Sequence, residues 1–220
     1  MSSLKLADEQ TVVGMAAVLQ ACQRVGRAPT EFGAWGVLAA PRFMGRPRLA
    51  HAISRFQKQG VRGMSPLIIP TLSQHAVAST ICLILGCHGP NFGIGGNSTS
   101  VGETVLNSLS VLHGHPCPGV WAVMTAWEPE PIPDGTGQIL TPTSGIGVAL
   151  ALTPQAAAGQ VRLVMPGPLD RQAGGNGSLL DLADFLEHSA NADSCRFTFQ
   201  GGGVLEIIPG GLANSLRQAG

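Results

Sequence analysis

Residues 64–101 read MSPLIIPTLSQHAVASTICLILGCHGPNFGIGGNSTSV. The order of breakers and apolar runs in this stretch sets the expected fold. Pro66 and Pro70 frame a loop. Leu72 to Leu85 is an apolar run of helical length, and Gly86 stops it. Gly89-Pro90 marks a turn, after which Asn91 to Gly95 reads as a short strand. Gly95-Gly96-Asn97-Ser98 then bends sharply into another helix, Ser100 to about Leu112.

Working upstream, residues 8–25 read as an amphipathic helix with Val12, Met15, Ala16, Val18, Leu19 and Cys22 on its apolar stripe. Residues 32–40 read as a short buried strand, and 46–59 as a helix whose basic residues form a solvated face. Downstream, Gly119 to Trp127 and Gly145 to Leu152 read as buried strands. Strands alternating with helices imply an α/β arrangement. Residues 165–178 have the composition of a flexible connector, 179–190 read as a helix, and 195–199 with 203–209 look like a strand pair. The expected organisation is a main domain over 1–158, a linker over 159–178, and an extension over 179–220 that packs on the same core. A parallel sheet is usually covered on both faces, and 160–220 contain suitable covering material.

Composition narrows the function classes. Of 220 residues, 44% are hydrophobic and only 12% charged, which argues against a disordered chain. Lys+Arg and Asp+Glu each number 13, so no basic excess points to nucleic acid. A neutral, charge-poor surface is weakly protected against association, which favours an obligate partner or a homodimer. No apolar segment reaches the roughly 18 residues of a bilayer span, and the N-terminus lacks a signal-type apolar run. The five cysteines form no CxxC pair and read as reduced thiols of a cytoplasmic protein. His113-Gly114-His115-Pro116-Cys117 lacks the paired spacing of zinc sites, and the glycine clusters lack a dinucleotide fingerprint. No metal and no cofactor are expected.

The turn at 95–100 is where chemistry could sit. A side chain there projects from a tight bend toward the first N–H groups of a helix, which stabilise an oxyanion. Gly96-Asn97-Ser98-Thr99-Ser100 approaches the Gly-x-Ser-x-Gly elbow but lacks its last glycine. The alternative is that Ser98, Thr99 or Ser100 caps the helix.

The segment from Met64 to Val101 resembles the core of a β-ketoacyl synthase of the condensing-enzyme family. That family shows a Ser-Pro-apolar-Pro loop, a helix, a Gly-Pro turn, a strand and a nucleophile turn. Ser65-Pro66-Leu67-Ile68-Ile69-Pro70, Leu72 to Leu85, Gly89-Pro90 and Phe92-Gly93-Ile94 stand in that order here. The resemblance covers about 8–155, and Thr125-Ala126-Trp127-Glu128 stands where the family ends a strand in Gly-Gly-(Ala/Thr)-Glu. It implies a thiolase-like α/β half-fold, a mostly parallel sheet packed with helices, plus a C-terminal α+β extension. It also places Ser98 at the position of the family's catalytic cysteine, where it is expected to be inactive. The family's two catalytic histidines lie in a second half that has no match here, in His-Gly-Thr and Gly-His contexts. The six histidines of this chain are read as belonging to neither.

The expected function is a catalytically incomplete partner, or chain-length-type subunit, in fatty-acid or polyketide assembly. The resemblance implies a homodimer, or a heterodimer with a full-length ketosynthase, through the strand at Asn91 to Gly95. An acyl carrier protein is a further implied partner. The alternative is a serine acyltransferase or hydrolase with Ser98 as nucleophile and His75 or His88 as the nearest bases in sequence. Phe43, Met44 and Phe56 are read as core residues that could otherwise line an acyl tunnel.

Overall fold

The computed structural model describes residues 7–96, 99–155, 159–164, 177–188, 194–199 and 203–209. Helix α1 spans Glu9–Arg24. Asp8 caps it, its carboxylate accepting from Gln10 N at 3.0 Å. At the far end Gly26 takes φ +66°, and Arg27 N donates to Cys22 O at 3.1 Å. This left-handed glycine ending satisfies the last carbonyls. The buried face is Thr11, Gly14, Met15, Val18 and Cys22, while Val12 and Leu19 are exposed. The expected stripe was therefore rotated. Gly14 explains the rotation, because a Cβ there would lie 3.2 Å from Thr125, Val123 and Val77. Its small size lets α1 settle close to the sheet.

Strand β1 is Gly36–Pro41, buried throughout. The expected strand began four residues too early, since Pro29–Phe32 forms a 3-10 turn. Phe32, Trp35 and Trp121 meet there with ring centroids 4.8 to 5.6 Å apart, Phe32 edge-on to both tryptophans, a packing favoured by buried aromatics. Helix α2 (Arg46–Gln59) lies where it was expected. The apolar run after it is not one helix. A short α3 (Ile68–Leu72) ends at extended Ser73, and α4 spans His75–Leu85. Pro70, expected to bound a loop, lies inside α3, whose first turn needs no proline N–H. Strand β2 is Asn91–Gly93, α5 is Ser100–Gly114, β3 is Val120–Glu128 and β4 is Ser144–Leu152.

These strands form one sheet in the order β2-β1-β3-β4. β1 runs parallel to both β2 and β3, and β4 is antiparallel to β3. Alternation along β1 and β3 divides the core in two. Val37, Ala39, Trp121 and Val123 face α1 and α4, with Met15, Val18, Val77 and Ile81. Ala40, Met124 and Ala126 face the other way, toward Val101 and Val105 of α5.

That second face is covered by the C-terminal part. Strand β5 (Gly159–Val164), helix α6 (Leu179–Glu187), β6 (Cys195–Thr198) and β7 (Val204–Pro209) follow in sequence. They form an antiparallel sheet, β5-β7-β6, beside α6. Leu179, Leu182, Phe185, Cys195, Phe197, Leu205 and Ile207 join the second core. Residues 159–164, expected within a linker, are thus strand, and β6 and β7 pair as expected. Residues 165–176, the expected connector, lie outside the described residues. Ser178 and Asp181 form a reciprocal cap at the start of α6.

Candidate functional site

The candidate site is the edge strand β2 together with the turn that leaves it. Glycines let the chain pass through two narrow places here. A Cβ at Gly89 would lie 2.6 Å from Trp35 backbone atoms. One at Gly93 would lie 2.6 Å from His75 N and 2.7 Å from Gln74 C. β2 therefore ends directly against the first residues of α4. At Gly96 a Cβ would lie 2.6 Å from Pro41 O, where β1 leaves the sheet. The strand is shorter than the expected Asn91 to Gly95 because the chain swings over the end of β1 after Ile94, whose N–H still donates to Ala39 O at 2.8 Å.

β2 has a partner on one side only. Val37 N donates to Pro90 O at 2.8 Å, and Ile94 N to Ala39 O. Alternate groups, the N–H of Asn91 and of Gly93, point to the outer edge. Phe92 is 48% exposed, and Leu83 and Ile84 of the flanking α4 are exposed as well. The side-chain oxygen of Asn91 is buried without a hydrogen-bond partner. The opposite edge, β4, carries no exposed large apolar side chain among the described residues.

Ser98 lies outside the described residues, as does Asn97. Thr99 and Ser100 frame the start of α5. The Thr99 hydroxyl donates to Glu103 at 2.6 Å, and Ser100 is buried, its carbonyl accepting from Thr104 Oγ1 at 2.5 Å. His75 is the first residue of α4, exposed beside Gly93. His88 is exposed in the turn before β2, its N–H bonded to Gly33 O at 2.7 Å.

A second polar assembly fixes the loop after β1, at the carboxyl ends of the parallel strands. Thr125 Oγ1 donates to Gln10 Oε1 at 2.8 Å, and Gln10 Nε2 donates to Arg42 O at 2.8 Å. Arg42 N donates to Thr125 O at 2.7 Å. Sequence reasoning missed Gln10, because a glutamine in a first helical turn normally faces water. Phe43 takes φ +52° and lies under the guanidinium groups of Arg42 and Arg46, at 5.4 and 4.4 Å. Glu130 pairs with Arg46. Met44 packs on the first core, as read, but Phe56 is exposed on α2. Phe56 is therefore not a core residue.

Two groups of titratable side chains are perturbed nearby. Burial raises the Asp8 carboxyl to about 6, against opposing help from Gln10 N–H. The thiols of Cys82 and Cys87 contact each other at the end of α4. That contact, with burial, pushes Cys82 up, and it pulls Cys87 down. No group of three metal-capable side chains occurs among the described residues. None of their helices is long and apolar enough to cross a membrane.

No protein-family model matches the chain, nor does any curated protein. Solved structures do. A chain from the complex of a ketosynthase with its chain length factor from Xenorhabdus doucetiae superposes with a TM-score of 0.59 at 12% identity, covering 92% of this chain and 78% of that one. A chain from a complex of a type II polyketide acyl-carrier protein with its ketosynthase gives 0.45 at 11% identity, covering 97% of this chain and 50% of that one. This chain thus spans about half the length of the second. The fold is that of the thiolase-like ketosynthases. The expected fold class is borne out, and the likeness reaches further than expected. A match over 92% of the chain cannot lie within residues 8–155, so it takes in part of the C-terminal layer.

Proposed function

We propose that this chain is a non-condensing partner of a ketosynthase, of the chain-length-factor kind, that pairs through β2. The observation that carries this reading is the β2 edge: unpaired outward N–H groups, an exposed Phe92 and a buried unpartnered Asn91 oxygen. An edge of this kind is a template for strand addition. The matched complex supports the reading, because in it a ketosynthase works beside a chain length factor. The aligned part takes in most of both chains, so the two are comparable in length.

Ser98 supports the absence of condensing activity. The resemblance places Ser98 where a thiolate takes the acyl chain, and a serine hydroxyl is far less acidic than a thiol. On this reading the partner supplies the thiol and the histidines, and this chain shapes the space in which the acyl chain grows. An acyl carrier protein visits the pair and is not held by this chain alone. The product belongs to polyketide or fatty-acid assembly.

The test is affinity purification of the tagged chain from its own cells, with mass spectrometry and sizing of the product. A stoichiometric ketosynthase is expected. Phe92→Asp and Asn91→Pro should each release it, because the first puts a charge in the contact and the second removes an outward N–H. Recovery of the chain without any ketosynthase, or pairing untouched by both changes, would refute the proposal.

A further inference from the structure

The surface that runs from α2 through α3 and α4 to β2 carries charge of one sign. Between Phe32 and Gly102 the sequence holds six basic residues, Arg42, Arg46, Arg48, Arg55, Lys58 and Arg62, and no Asp or Glu. Four of these lie on α2 and one just after it. α2 is only lightly packed, with Ser54 its one buried residue. Leu49, Ile53 and Phe56 are spaced i, i+4, i+7 and so share one side of the helix. They are 47%, 49% and 47% exposed. An apolar stripe open to water on an otherwise polar helix marks an interaction surface more often than chance.

The exposure continues toward β2. α3 packs against both α2 and α4, and α4 flanks β2. Leu67 and Ile69, at 47% and 77%, carry the apolar exposure across α3 to Leu83, Ile84 and Phe92. Two of the α2 cations are neutralised within the chain, Arg46 by Glu130 and Arg48 by Glu9 and Asp8. Arg55, Lys58 and Arg62 make no ion pair among the described residues.

We infer that this face is covered by a different chain, which sets carboxylates against Arg55, Lys58 and Arg62, and not by a second copy of this chain. A two-fold contact between copies places the same patch on itself. It would bring two cationic rims together, because the acids that contact α2, Glu130, Asp8 and Glu9, are already paired with Arg46 and Arg48. Like charges juxtaposed at an interface exclude a partner, and opposite charges steer one. The inference rests on the proposed ketosynthase partnership and narrows it: the occupant is the ketosynthase, through an acidic strip bordered by apolar side chains.

Two measurements test it. Sedimentation of the chain alone at about 50 mM salt, where screening is weak, should show a monomer. Binding to the co-purified ketosynthase should weaken at least tenfold between about 50 and 500 mM salt. Arg55→Glu/Lys58→Glu/Arg62→Glu should slow association at least tenfold, and Phe56→Ser should speed dissociation to a similar degree. All four side chains are exposed, so far-UV circular dichroism should be unchanged, and Lys58→Glu alone gives a milder check. A tight homodimer insensitive to salt overturns the inference. So does ketosynthase binding that the charge reversal leaves intact, and in that case the partnership itself stands. Absence of any ketosynthase binding refutes both.

Discussion

Replacing Asp8 by Asn separates two roles of one carboxylate. Asp8 is 1% exposed, caps α1 through Gln10 N, and lies 3.9 Å from the Arg48 guanidinium. Burial dominates, so the carboxyl is raised from 3.8 to about 6. The fold therefore prefers the protonated form. The stabilisation linked to this group is complete below 3.8 and is lost as pH rises through about 6. The gap between those values corresponds to about 3 kcal/mol at pH 7.5. Because Glu9 and Arg48 share the site, about 1–3 kcal/mol is the working range. Asn keeps a side-chain oxygen for the cap and is as good an N-cap as Asp. It never carries the buried charge. Urea denaturation of wild type and Asp8→Asn at about pH 4.5 and 7.5 gives the answer as a double difference. The variant should be more stable than wild type at the higher pH by about 1–3 kcal/mol, and by no more than about a third of that at the lower, where the linked stabilisation is only partly lost. Other carboxylates, including Glu31, Asp134, Asp181 and Glu206, are lowered and pull stability the opposite way with pH, but they cancel in the difference. A variant less stable at pH 7.5 than at pH 4.5, each relative to wild type, would refute the argument that burial outweighs the Arg48 contact.

Four further outcomes follow from the structure and the sequence. Gly93→Ala should cost about 2 kcal/mol or more, because the new Cβ meets the His75 backbone at 2.6 Å; a thermal melt within a degree of wild type would contradict this. Leu205→Ala, at a fully buried side chain of the C-terminal layer, should cost about 2–5 kcal/mol, and a chain ending before residue 160 should be insoluble. A soluble, folded truncation would show that the layer is dispensable. A fluorophosphonate probe should leave the wild-type chain unlabelled; labelling that vanishes in Ser98→Ala would instead make this serine a working nucleophile.

The elements were legible where local chemistry is decisive. Helix α2 has a proline in its first turn and glycine at its end, and both signals are read without tertiary knowledge. The strong strand β3 announces itself as an unbroken apolar run. The misreadings have physical sources. On α1, hydropathy favoured Val12 and Leu19, but the sheet took Gly14 and Thr11 because a small residue permits close approach. β5 reads as part of a linker although Gln160, Val161 and Arg162 alternate, since a strand of six residues needs its partner β7, forty or more positions away, to be recognised. Phe56 was assigned to the core by base rate, yet α2 faces outward. The Gln10–Thr125 contact joins residues separated by 115 positions, and no local pattern could have suggested it.

The two halves of the core explain why the β2 edge stands out. A parallel sheet buried on one face only would present Ala40, Met124 and Ala126 to water. α5, α6 and the β5-β7-β6 sheet bury that face instead, so the faces of the sheet are internally satisfied. What stays open is lateral. β4, the other edge strand, packs small residues under α1, where a Cβ on Gly147 would lie 2.7 Å from Val13. At β2 the edge is flanked by exposed Leu83 and Ile84 of α4, and Ile69 and Phe56 on α3 and α2 are exposed as well. A chain with 44% hydrophobic residues and 12% charged ones has few charges with which to protect such an edge. Those on and just after α2, Arg55, Lys58 and Arg62, are all of one sign. Cationic side chains disfavour a like-charged copy and favour an acidic partner, so on the proposed reading these residues decide which chain covers the face.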